Sequence, residues 1–398
     1  MTISIKELTN HSYIDHELSA NLDSTEAFEG PEKLLEIWFY PNVQTIPRIN
    51  GQKLTLRNIE VDKWVEILKL VKCEVLSIKS TGKLDAFLLS ESSLFVYDHK
   101  ITLKTCGTTT TLFCLERLFD IVKDELKWDL LNHTSDEGKY HPYKVFYSRR
   151  CFMFPLKQRS IHKNWSNEIE YLNNFFRQGR SYLVGRNDQS NHWNLYVTET
   201  NKEMAKDSEV NPDDDQDETL EILMTGLDNN KAQQFICSRN VKDDLGADEG
   251  HAYGYKITKN TQLDCVYQNR MGSSFHHDAF AFTPCGYSSN MIIDEEYYYT
   301  LHVTPEKGWS YASFESNVPV STVSLHKQDN LQVMNSVLNA FQPQDFCLTF
   351  FAKDMSNQSF TKLMQIVSQV SNYTKKDRII YDLDDYQLLY MRFERIVS

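Results

Sequence analysis

KLDAFLLSESSLFVYDHKITLKT, residues 83–105, is the stretch that shows most clearly how this chain folds. Its apolar, β-branched and aromatic residues form two runs, Leu84–Leu89 and Leu94–Val96, and the second run continues past a polar turn to Ile101–Thr105. Runs of this kind, bounded by polar turn residues, are typical of β-strands. The stretch therefore predicts two neighbouring strands, the second of which extends past the polar turn.

A helix is predicted directly after these strands. Thr108–Thr111 supply N-cap residues, and the apolar positions that follow have the three-to-four spacing of a helix with one buried face, namely Leu112, Leu115, Leu118, Phe119, Val122 and Leu126. Cys106 thus lies just before the expected helix N-terminus, where the helix dipole favours a thiolate.

The remaining chain alternates between strand-like and helix-like segments, with no repeat period visible by eye. Tyr297–Val303 and Trp309–Phe314 are strand-like and are joined by a Pro- and Gly-containing turn. Leu331–Phe341 and Phe360–Val370 are predicted helices. The pattern indicates an α+β protein with mainly antiparallel strands.

Two polar segments interrupt this alternation. Asn201–Glu218, which contains Asp213-Asp214-Asp215, has the composition of an exposed loop, and residues 239–274 carry no distinctive motif. The chain has only 14 glycines and no Gly-x-Gly-x-x-Gly or Gly-Lys-[Ser/Thr] loop. The common nucleotide-binding folds are therefore not indicated.

Composition and charge narrow the function classes. The 398 residues are 41% hydrophobic and 24% charged, which is ordinary for a globular protein with a large core. The formal net charge of −13 argues against a nucleic-acid partner and is compatible with a cationic small molecule. Residues 1–29 lack the basic and apolar regions of a signal peptide, and no apolar run is long enough to span a bilayer, so a cytoplasmic protein is expected.

The cysteines suggest neither a disulfide framework nor a metal site. They are scattered, without a Cys-x-x-Cys pair or a His partner at zinc spacing, at positions 73, 106, 114, 151, 237, 265, 285 and 347. Reduced thiols are expected.

The centre of the opening stretch, Leu88–Val96, is unusual for a strand pair because three serines and a glutamate separate its apolar runs. Taken alone, this segment is a serine-rich turn or a loop open to phosphorylation, since such links between strands are common. No chemistry follows from it without further sequence context.

That context comes from four more segments in a fixed order along the chain. Together with Leu88–Val96 they resemble the sequence blocks of eukaryotic S-adenosylmethionine decarboxylases, most closely the fungal members. The further blocks are FEGPEKLLE (28–36), LKTCGTT (103–109), PCGYS (284–288), and HVTPE (302–306) with Phe314-Glu315. The resemblance implies one domain over residues 1–398 with a four-layer α/β-β/α sandwich, in which two antiparallel sheets face each other and helices lie outside.

The resemblance also implies that the chain makes its own cofactor. An electrophilic carbonyl is needed to take up the charge that decarboxylation leaves on an amino-acid Cα, and it does so by forming a Schiff base with the substrate amine. In this family the carbonyl is a pyruvoyl group, and neither a metal nor pyridoxal phosphate is used. Cleavage between Glu91 and Ser92 would leave a small chain, 1–91, and a large chain, 92–398, that begins with the pyruvoyl group derived from Ser92.

Three further residues are assigned to processing and turnover by the same resemblance. His302 corresponds to the base that removes the Ser92 α-proton, a role suited to imidazole. Ser288 corresponds to the serine that stabilises the oxyoxazolidine intermediate of the acyl shift. Cys106 corresponds to the donor that returns a proton to the substrate Cα. Without the family context, a single His, Ser or Cys would more often be structural.

Substrate contacts are implied as well. Phe28 and Phe282 correspond to the rings that stack on the adenine, and Glu306 to the carboxylate that holds the ribose hydroxyls. Glu29 and Glu32 match acidic positions of the same block and are expected near the active site. Each phenylalanine would otherwise be interpreted as ordinary core packing.

A putrescine site is a further implication. Animal members of the family bind this activating dication with a buried acidic set, which corresponds here to Glu36, Asp217, Thr219, Glu221 and Glu315. The alternative is that these residues are solvated surface acids. A homodimer of processed units is also compatible with the resemblance.

Two other functions remain open from the sequence. One is a noncatalytic regulatory relative that keeps the fold, although the presence of Ser92, Cys106, Ser288 and His302 speaks against it. The other is a hydrolase that uses Ser288 or Cys106 with His302, for which no nucleophile-elbow motif is present.

Overall fold

The structure is a computed structural model of the 398-residue chain. It describes residues 29–90, 92–131, 138–177, 179–186, 192–204, 217–237, 247–267, 274–320, 328–353, 358–365 and 370–396. Phe28 and Glu91, two of the predicted site residues, lie outside these ranges, as does most of the acidic segment, residues 205–216.

The first half of the chain forms an eight-stranded antiparallel sheet. Its strands are β1 (Lys33–Trp38), β4 (Val75–Ser80), β5 (Asp85–Leu89), β6 (Ser92–Val96), β7 (Lys100–Thr105), β8 (Lys144–Arg150), β9 (Gly179–Val184) and β10 (Trp193–Thr198). They lie in the order β4-β5-β6-β7-β1-β8-β10-β9. A small ribbon of β2 (Arg48–Ile49) and β3 (Gln52–Lys53) precedes β4. The two strands predicted between residues 84 and 105 are present, and the second is divided at the polar turn into β6 and β7.

The second half forms another eight-stranded antiparallel sheet. Its strands are β11 (Glu218–Thr225), β12 (Phe275–Ala281), β13 (Tyr287–Ile293), β14 (Tyr297–Thr304), β15 (Tyr311–Ser316), β16 (Asp345–Ala352), β17 (Tyr373–Leu383) and β18 (Tyr386–Arg395). Their order, β12-β13-β14-β15-β11-β16-β18-β17, repeats the connectivity of the first sheet strand for strand. The two halves therefore share one topology, which the sequence does not reveal by eye.

Helices cover the outer face of each sheet. On the first sheet they are α1 (Val61–Val71), α2 (Leu115–Leu126) and α3 (Trp165–Phe175); on the second they are α4 (Asn229–Ala232), α5 (Ala247–Thr261), α6 (Asn330–Phe341) and α7 (Gln358–Gln365). Each set packs its buried apolar residues against its own sheet, forming two separate cores. The helices and sheets form the expected four-layer α+β sandwich.

The two sheets meet through a third core. Trp38, Phe146 and Trp193 of the first sheet pack there with Leu223 and Tyr390 of the second. Elsewhere between the sheets the ring of Phe95 stacks on Tyr298, with centroids 3.7 Å apart. Such a layer is expected to be apolar throughout, so the charged and polar side chains found in it are candidates for function.

Some helix bounds differ from those predicted. Helix α5 lies inside the polar segment 239–274, and buried residues such as Ile257 pack it against the second sheet. The helix expected after Cys106 begins as a short 3₁₀ turn, Thr111–Cys114, and becomes α-helical only at Leu115. Its N-terminus is therefore further from Cys106 than the sequence indicated, and the dipole argument for that thiol loses force. None of the described helices is long and apolar enough to cross a membrane.

Candidate active site

Ser92 occupies an unusual position at the start of β6. It lies opposite Leu89 of β5 and Thr105 of β7, and it is fully buried. Its φ angle is +127°, a value that L-residues other than glycine adopt at a cost. Within the described part of the chain, its buried Oγ makes no hydrogen bond. A buried, unsatisfied hydroxyl on strained backbone is the kind of exception that indicates a functional residue.

Ser288 and His302 form a hydrogen-bonded pair on the second sheet. They are directly opposite each other on β13 and β14, and His302 Nδ1 lies 2.9 Å from Ser288 Oγ. The other ring nitrogen, Nε2, lies 2.9 Å from Thr300 Oγ1. Because Thr300 donates its hydroxyl hydrogen to the Ser289 carbonyl, its oxygen is left to accept from Nε2–H. The network therefore assigns the Nε2–H tautomer, with Nδ1 accepting from Ser288.

Residues of the first sheet reach this pair across the sandwich. Ser93, next to Ser92, donates to Asn290 Oδ1 at 2.7 Å and lies 3.3 Å from His302 Nε2. Asn290 in turn donates to the Phe87 carbonyl at 3.2 Å. These contacts bring the Ser92 end of β6 to the Ser288–His302 pair. Ser93, Asn290 and Thr300 were not predicted from the sequence.

Burial controls the protonation of His302. It lowers the pKa of His302 to about 3, and the positive charge of Lys104 adds to the effect. The imidazole is therefore neutral at physiological pH and available as a base. A hydrolytic triad would place a carboxylate on its second nitrogen, whereas here that nitrogen faces the Thr300 and Ser93 hydroxyls.

Cys106 follows directly after Thr105, the cross-strand neighbour of Ser92. Its carbonyl accepts from the Thr109 hydroxyl at 2.7 Å, which holds the turn after β7. The buried ammonium of Lys33 donates to the adjacent Gly107 carbonyl at 3.1 Å. Burial lowers the pKa of Lys33 to about 8, although Glu168 and Cys106 oppose that shift. A nearby cation, which was not predicted from the sequence, thus accompanies this thiol in place of the helix terminus.

An open pocket of about 410 Å³ gathers several of the predicted residues. Cys106, Phe282, Ser288, His302 and Glu306 all line it, together with Ser90, Cys285, Gly286, Tyr287, Val303, Thr304 and Pro305. This mixture of apolar and polar walls suits a small-molecule ligand. Phe28, the second predicted ring, lies outside the described residues.

Glu29 and Glu32 lie close to the pocket without lining it. The Glu29 carboxylate accepts from the backbone N–H groups of Met153 and Phe154, at 2.7 and 2.6 Å. Burial raises its pKa, and these two hydrogen bonds partly offset the rise. Glu32 accepts from Ser313 at 2.6 Å, and burial raises its pKa to about 7.

A buried lysine joins the predicted acidic residues. Lys104 Nζ lies 2.6 Å from Glu221, 2.7 Å from Glu315 and 3.7 Å from Glu32, between the two sheets. Burial alone would lower the pKa of Lys104, but the three carboxylates together raise it well above its usual range. When all three carboxylates are ionised, the single ammonium leaves this group with an excess of negative charge.

A second cavity, of about 440 Å³, lies beside this group. Four of the five residues predicted for the activator line it, Glu36, Asp217, Thr219 and Glu315, while Glu221 lies behind them on Lys104. Asp217 accepts from Tyr386 at 2.7 Å, and Lys100 Nζ lies 3.7 Å away. Burial raises the pKa of Glu36, an effect that Lys100 counteracts. The acidic residues are therefore not solvated surface acids.

A signal for the missed residues was present in the strand periodicity. Ser288 and Asn290, and likewise Thr300 and His302, are two apart, so each pair shares one face of its strand. The same spacing relates Thr102 and Lys104 on β7, and the Thr102 hydroxyl donates to Glu36 at 2.9 Å. Polar residues repeated at this spacing in apolar strands predict a polar layer. They do not predict which strand of the other sheet faces it.

The fold and the pocket define an enzyme that acts on a small molecule, with polar machinery between two facing sheets. A sequence model of the adenosylmethionine decarboxylase family matches residues 25–394. The protein is 62% identical to the S-adenosylmethionine decarboxylase proenzyme of Saccharomyces cerevisiae, over 99% of this chain and 100% of that relative. It is 34% identical to the proenzyme of Drosophila melanogaster, over 92% of this chain and 95% of the relative. The chain belongs to the adenosylmethionine decarboxylase family.

A solved structure supports the fold. The crystal structure of the Trypanosoma brucei AdoMetDC-delta26 monomer aligns with a TM-score of 0.52 at 20% identity, covering 76% of this chain and 99% of that one. The family predicted from the five sequence blocks is thus confirmed, and so is the α+β sandwich. The roles of individual residues stay predictions.

Proposed function

We propose that this chain is a self-processing proenzyme that converts S-adenosylmethionine to its decarboxylated form, S-adenosylmethioninamine, and carbon dioxide. Family membership supports the reaction, whose product supplies aminopropyl groups for spermidine and spermine synthesis. The observation that carries the self-processing part is Ser92, buried on strained backbone with an Oγ that makes no hydrogen bond to the described residues. A serine that is to become part of a pyruvoyl group fits this position.

The first step of processing is an acyl shift at the Glu91–Ser92 bond. Ser92 Oγ attacks the Glu91 carbonyl carbon, and the peptide becomes an ester as the C–N bond breaks and the amine takes up a proton. The Ser288 hydroxyl stabilises the negative oxygen of the intermediate. Positive φ costs on the order of 1–3 kcal/mol, and breaking the peptide bond releases that strain. The backbone of Ser92 therefore favours the shift.

Elimination follows at Ser92. His302 removes the Ser92 α-proton, the Cβ–O bond breaks, and residue 91 leaves with a free carboxylate as the end of chain 1–91. The dehydroalanine that remains rearranges to an imine and reacts with water, losing ammonia and giving the pyruvoyl group at the start of chain 92–398. The low pKa of His302, about 3, keeps the base neutral before it acts.

Decarboxylation uses the pocket described above. A pyruvoyl group derived from Ser92 would supply an electrophilic carbonyl to the substrate amine, and this carbonyl could take up the electron pair left by carbon dioxide. Phe282, with Phe28, stacks on the adenine, and Glu306 accepts hydrogen bonds from the ribose hydroxyls. Cys106 then returns a proton to the substrate Cα. The overall negative charge of the chain favours a substrate that carries a sulfonium.

The second cavity is proposed to bind putrescine as an activator. Glu36, Asp217 and Glu315 line it with Thr219, and Glu221 adds a further carboxylate through Lys104. Buried carboxylates that outnumber the nearby lysines are stabilised by a dication. Lys104 links this cavity to the processing centre because its charge also reaches His302. The protein is further proposed to work in the cytoplasm as a homodimer of processed units.

Mass analysis under denaturing conditions tests the processing proposal. The wild type should give two chains, with a blocked N-terminus on the larger one, whereas Ser92→Ala should remain a single chain. Ser90→Ala is the matched control, since Ser90 lies in the same turn and its Oγ accepts from the Glu74 N–H at 3.0 Å. An intact wild-type chain that is nevertheless active would refute the proposal.

Calorimetry with putrescine tests the activator site. Glu221→Gln should weaken binding because it removes one carboxylate from the Lys104 group, while Glu66→Gln, on an exposed ion pair with Arg117, should not. Equal affinities for the wild type and Glu221→Gln would remove Glu221 from the site.

A further inference from the structure

Trp309 lies behind Glu306, the carboxylate proposed to hold the ribose. Glu306 follows the end of β14, and Trp309 stands in the same turn, two residues before β15. The indole N–H of Trp309 donates to Glu306 Oε2 at 3.0 Å, and its backbone N–H donates to the Glu306 carbonyl at 3.3 Å. Glu306 lines the pocket, whereas Trp309 is not part of its wall.

The indole also contacts the loop that holds Glu29. The ring of Phe154 meets Trp309 edge to face, with centroids 6.1 Å apart at 83°. The backbone N–H of Phe154 donates to the Glu29 carboxylate. Trp309 is thus fixed from two sides, by its own turn and by a loop of the first sheet, and it presents one donor to Glu306.

We propose that Trp309 is a positioning residue for nucleoside recognition, which holds the Glu306 carboxylate in the orientation that accepts both ribose hydroxyls. This inference rests on the proposed role of Glu306. A carboxylate held on one oxygen loses less conformational freedom when a vicinal diol binds. A phenylalanine at this position keeps the ring contact with Phe154 but has no N–H. The contribution of the ring contact and that of the N–H hydrogen bond can therefore be measured separately.

Binding of 5′-methylthioadenosine provides a readout that does not depend on turnover, because this nucleoside lacks the aliphatic amino group that reacts in the substrate. Trp309→Phe should raise the Kd of 5′-methylthioadenosine about threefold to tenfold. This is the lower part of the range for losing a hydrogen bond to a charged group, because the Glu306 carboxylate is partly exposed. The Kd of the 2′,3′-dideoxy analogue should stay unchanged. For S-adenosylmethionine, KM should rise by the same factor with kcat within twofold. Trp165→Phe, at a partly buried tryptophan outside the pocket wall, is the control.

A double variant separates this role from a structural one. If Trp309 acts through Glu306, then Trp309→Phe added to Glu306→Gln should cause no further loss of diol affinity. Equal losses for the diol and dideoxy nucleosides, or a fall in kcat with KM unchanged, would overturn the inference. So would unchanged affinity in Trp309→Phe.

A second variant covers the case in which Trp309→Phe folds poorly. Gly308 has a φ of +100°, and an added Cβ would meet no atom within 4 Å, so Gly308→Ala strains the turn without a clash. It should give the same selective loss of diol affinity, and a loss shared by the dideoxy nucleoside would count against the inference. A wild type that releases no carbon dioxide from S-adenosylmethionine would instead refute the proposed function itself.

Discussion

Thr300→Val tests how the processing base is held. Thr300 is fully buried, accepts from His302 Nε2–H at 2.9 Å and donates to the Ser289 carbonyl at 3.0 Å. Valine has nearly the same shape, so packing is kept while both hydrogen bonds are lost. His302 Nε2 retains only the longer contact with Ser93, at 3.3 Å. The variant removes the group that fixes the tautomer.

The size of the effect follows from these contacts. Leaving a buried donor and acceptor short of a partner costs about 1–3 kcal/mol, which should appear as a lower free energy of unfolding. The productive tautomer has its proton on Nε2 and leaves Nδ1 free to accept. If the variant destabilises this tautomer by about 1.4 kcal/mol, processing should slow about tenfold. Thr300→Ser, which keeps the hydroxyl, should process close to the wild-type rate.

The assay is a time course of freshly synthesised precursor, in which the intact chain and the two products are separated and quantified. Thr198→Val is the matched control, because Thr198 is also a buried strand threonine whose hydroxyl oxygen accepts a hydrogen bond, from Val145 N–H at 3.0 Å. It should lose stability without slowing cleavage. Wild-type processing in a destabilised Thr300→Val would refute the tautomer argument.

Three other predictions concern titration and catalysis. Because burial lowers the pKa of His302 to about 3, the processing rate should show no titration near pH 6.5 between pH 5.5 and 8; a midpoint there would mean the imidazole is solvated. The folded pKa of Glu32, about 7, is above its unfolded value, so its stabilising contribution, present at lower pH, is lost as pH rises through 7. Between pH 6 and 8.5, the free energy of unfolding of the wild type should therefore fall by on the order of 1 kcal/mol relative to that of Glu32→Gln, as measured by thermal unfolding. The same pH dependence of stability in both proteins would contradict this. Cys106→Ala should self-cleave normally but turn over at least tenfold more slowly, as expected for loss of a proton donor; an unprocessed chain on denaturing gels would show that its role is misassigned.

Strand prediction succeeded where the local pattern was strong. The runs between Leu84 and Thr105 became β5, β6 and β7, and the segments around Pro305 became β14 and β15. Helix α5 was missed because its mean hydropathy is low and only part of one face, including Ile257, is buried. The predicted helix from Phe360 to Val370 is described only over Gln358–Gln365.

The predicted site residues do not all lie in one place. Cys106, Phe282, Ser288, His302 and Glu306 meet in one pocket, as the family resemblance implied. Glu32, expected near the active site, does not line the pocket and contacts Lys104. Lys104 and Lys33 were missed because a lysine in a strand usually indicates an exposed edge, and only burial of its ammonium distinguishes these two.

The sequence by itself determined the family, the strands around the Glu91–Ser92 bond, and the chemical groups available for the reaction. These are local properties, since an ordered set of short motifs and a period of two can be found without knowing what lies across the sheet. Only the tertiary structure decided that Ser93 reaches Asn290 and His302, that one lysine serves three carboxylates, and that Ser92 has a positive φ. Each depends on how the two topologically equivalent halves face each other or on how a turn closes, and residues about 200 positions apart in sequence meet there because packing between sheets is set by the whole fold.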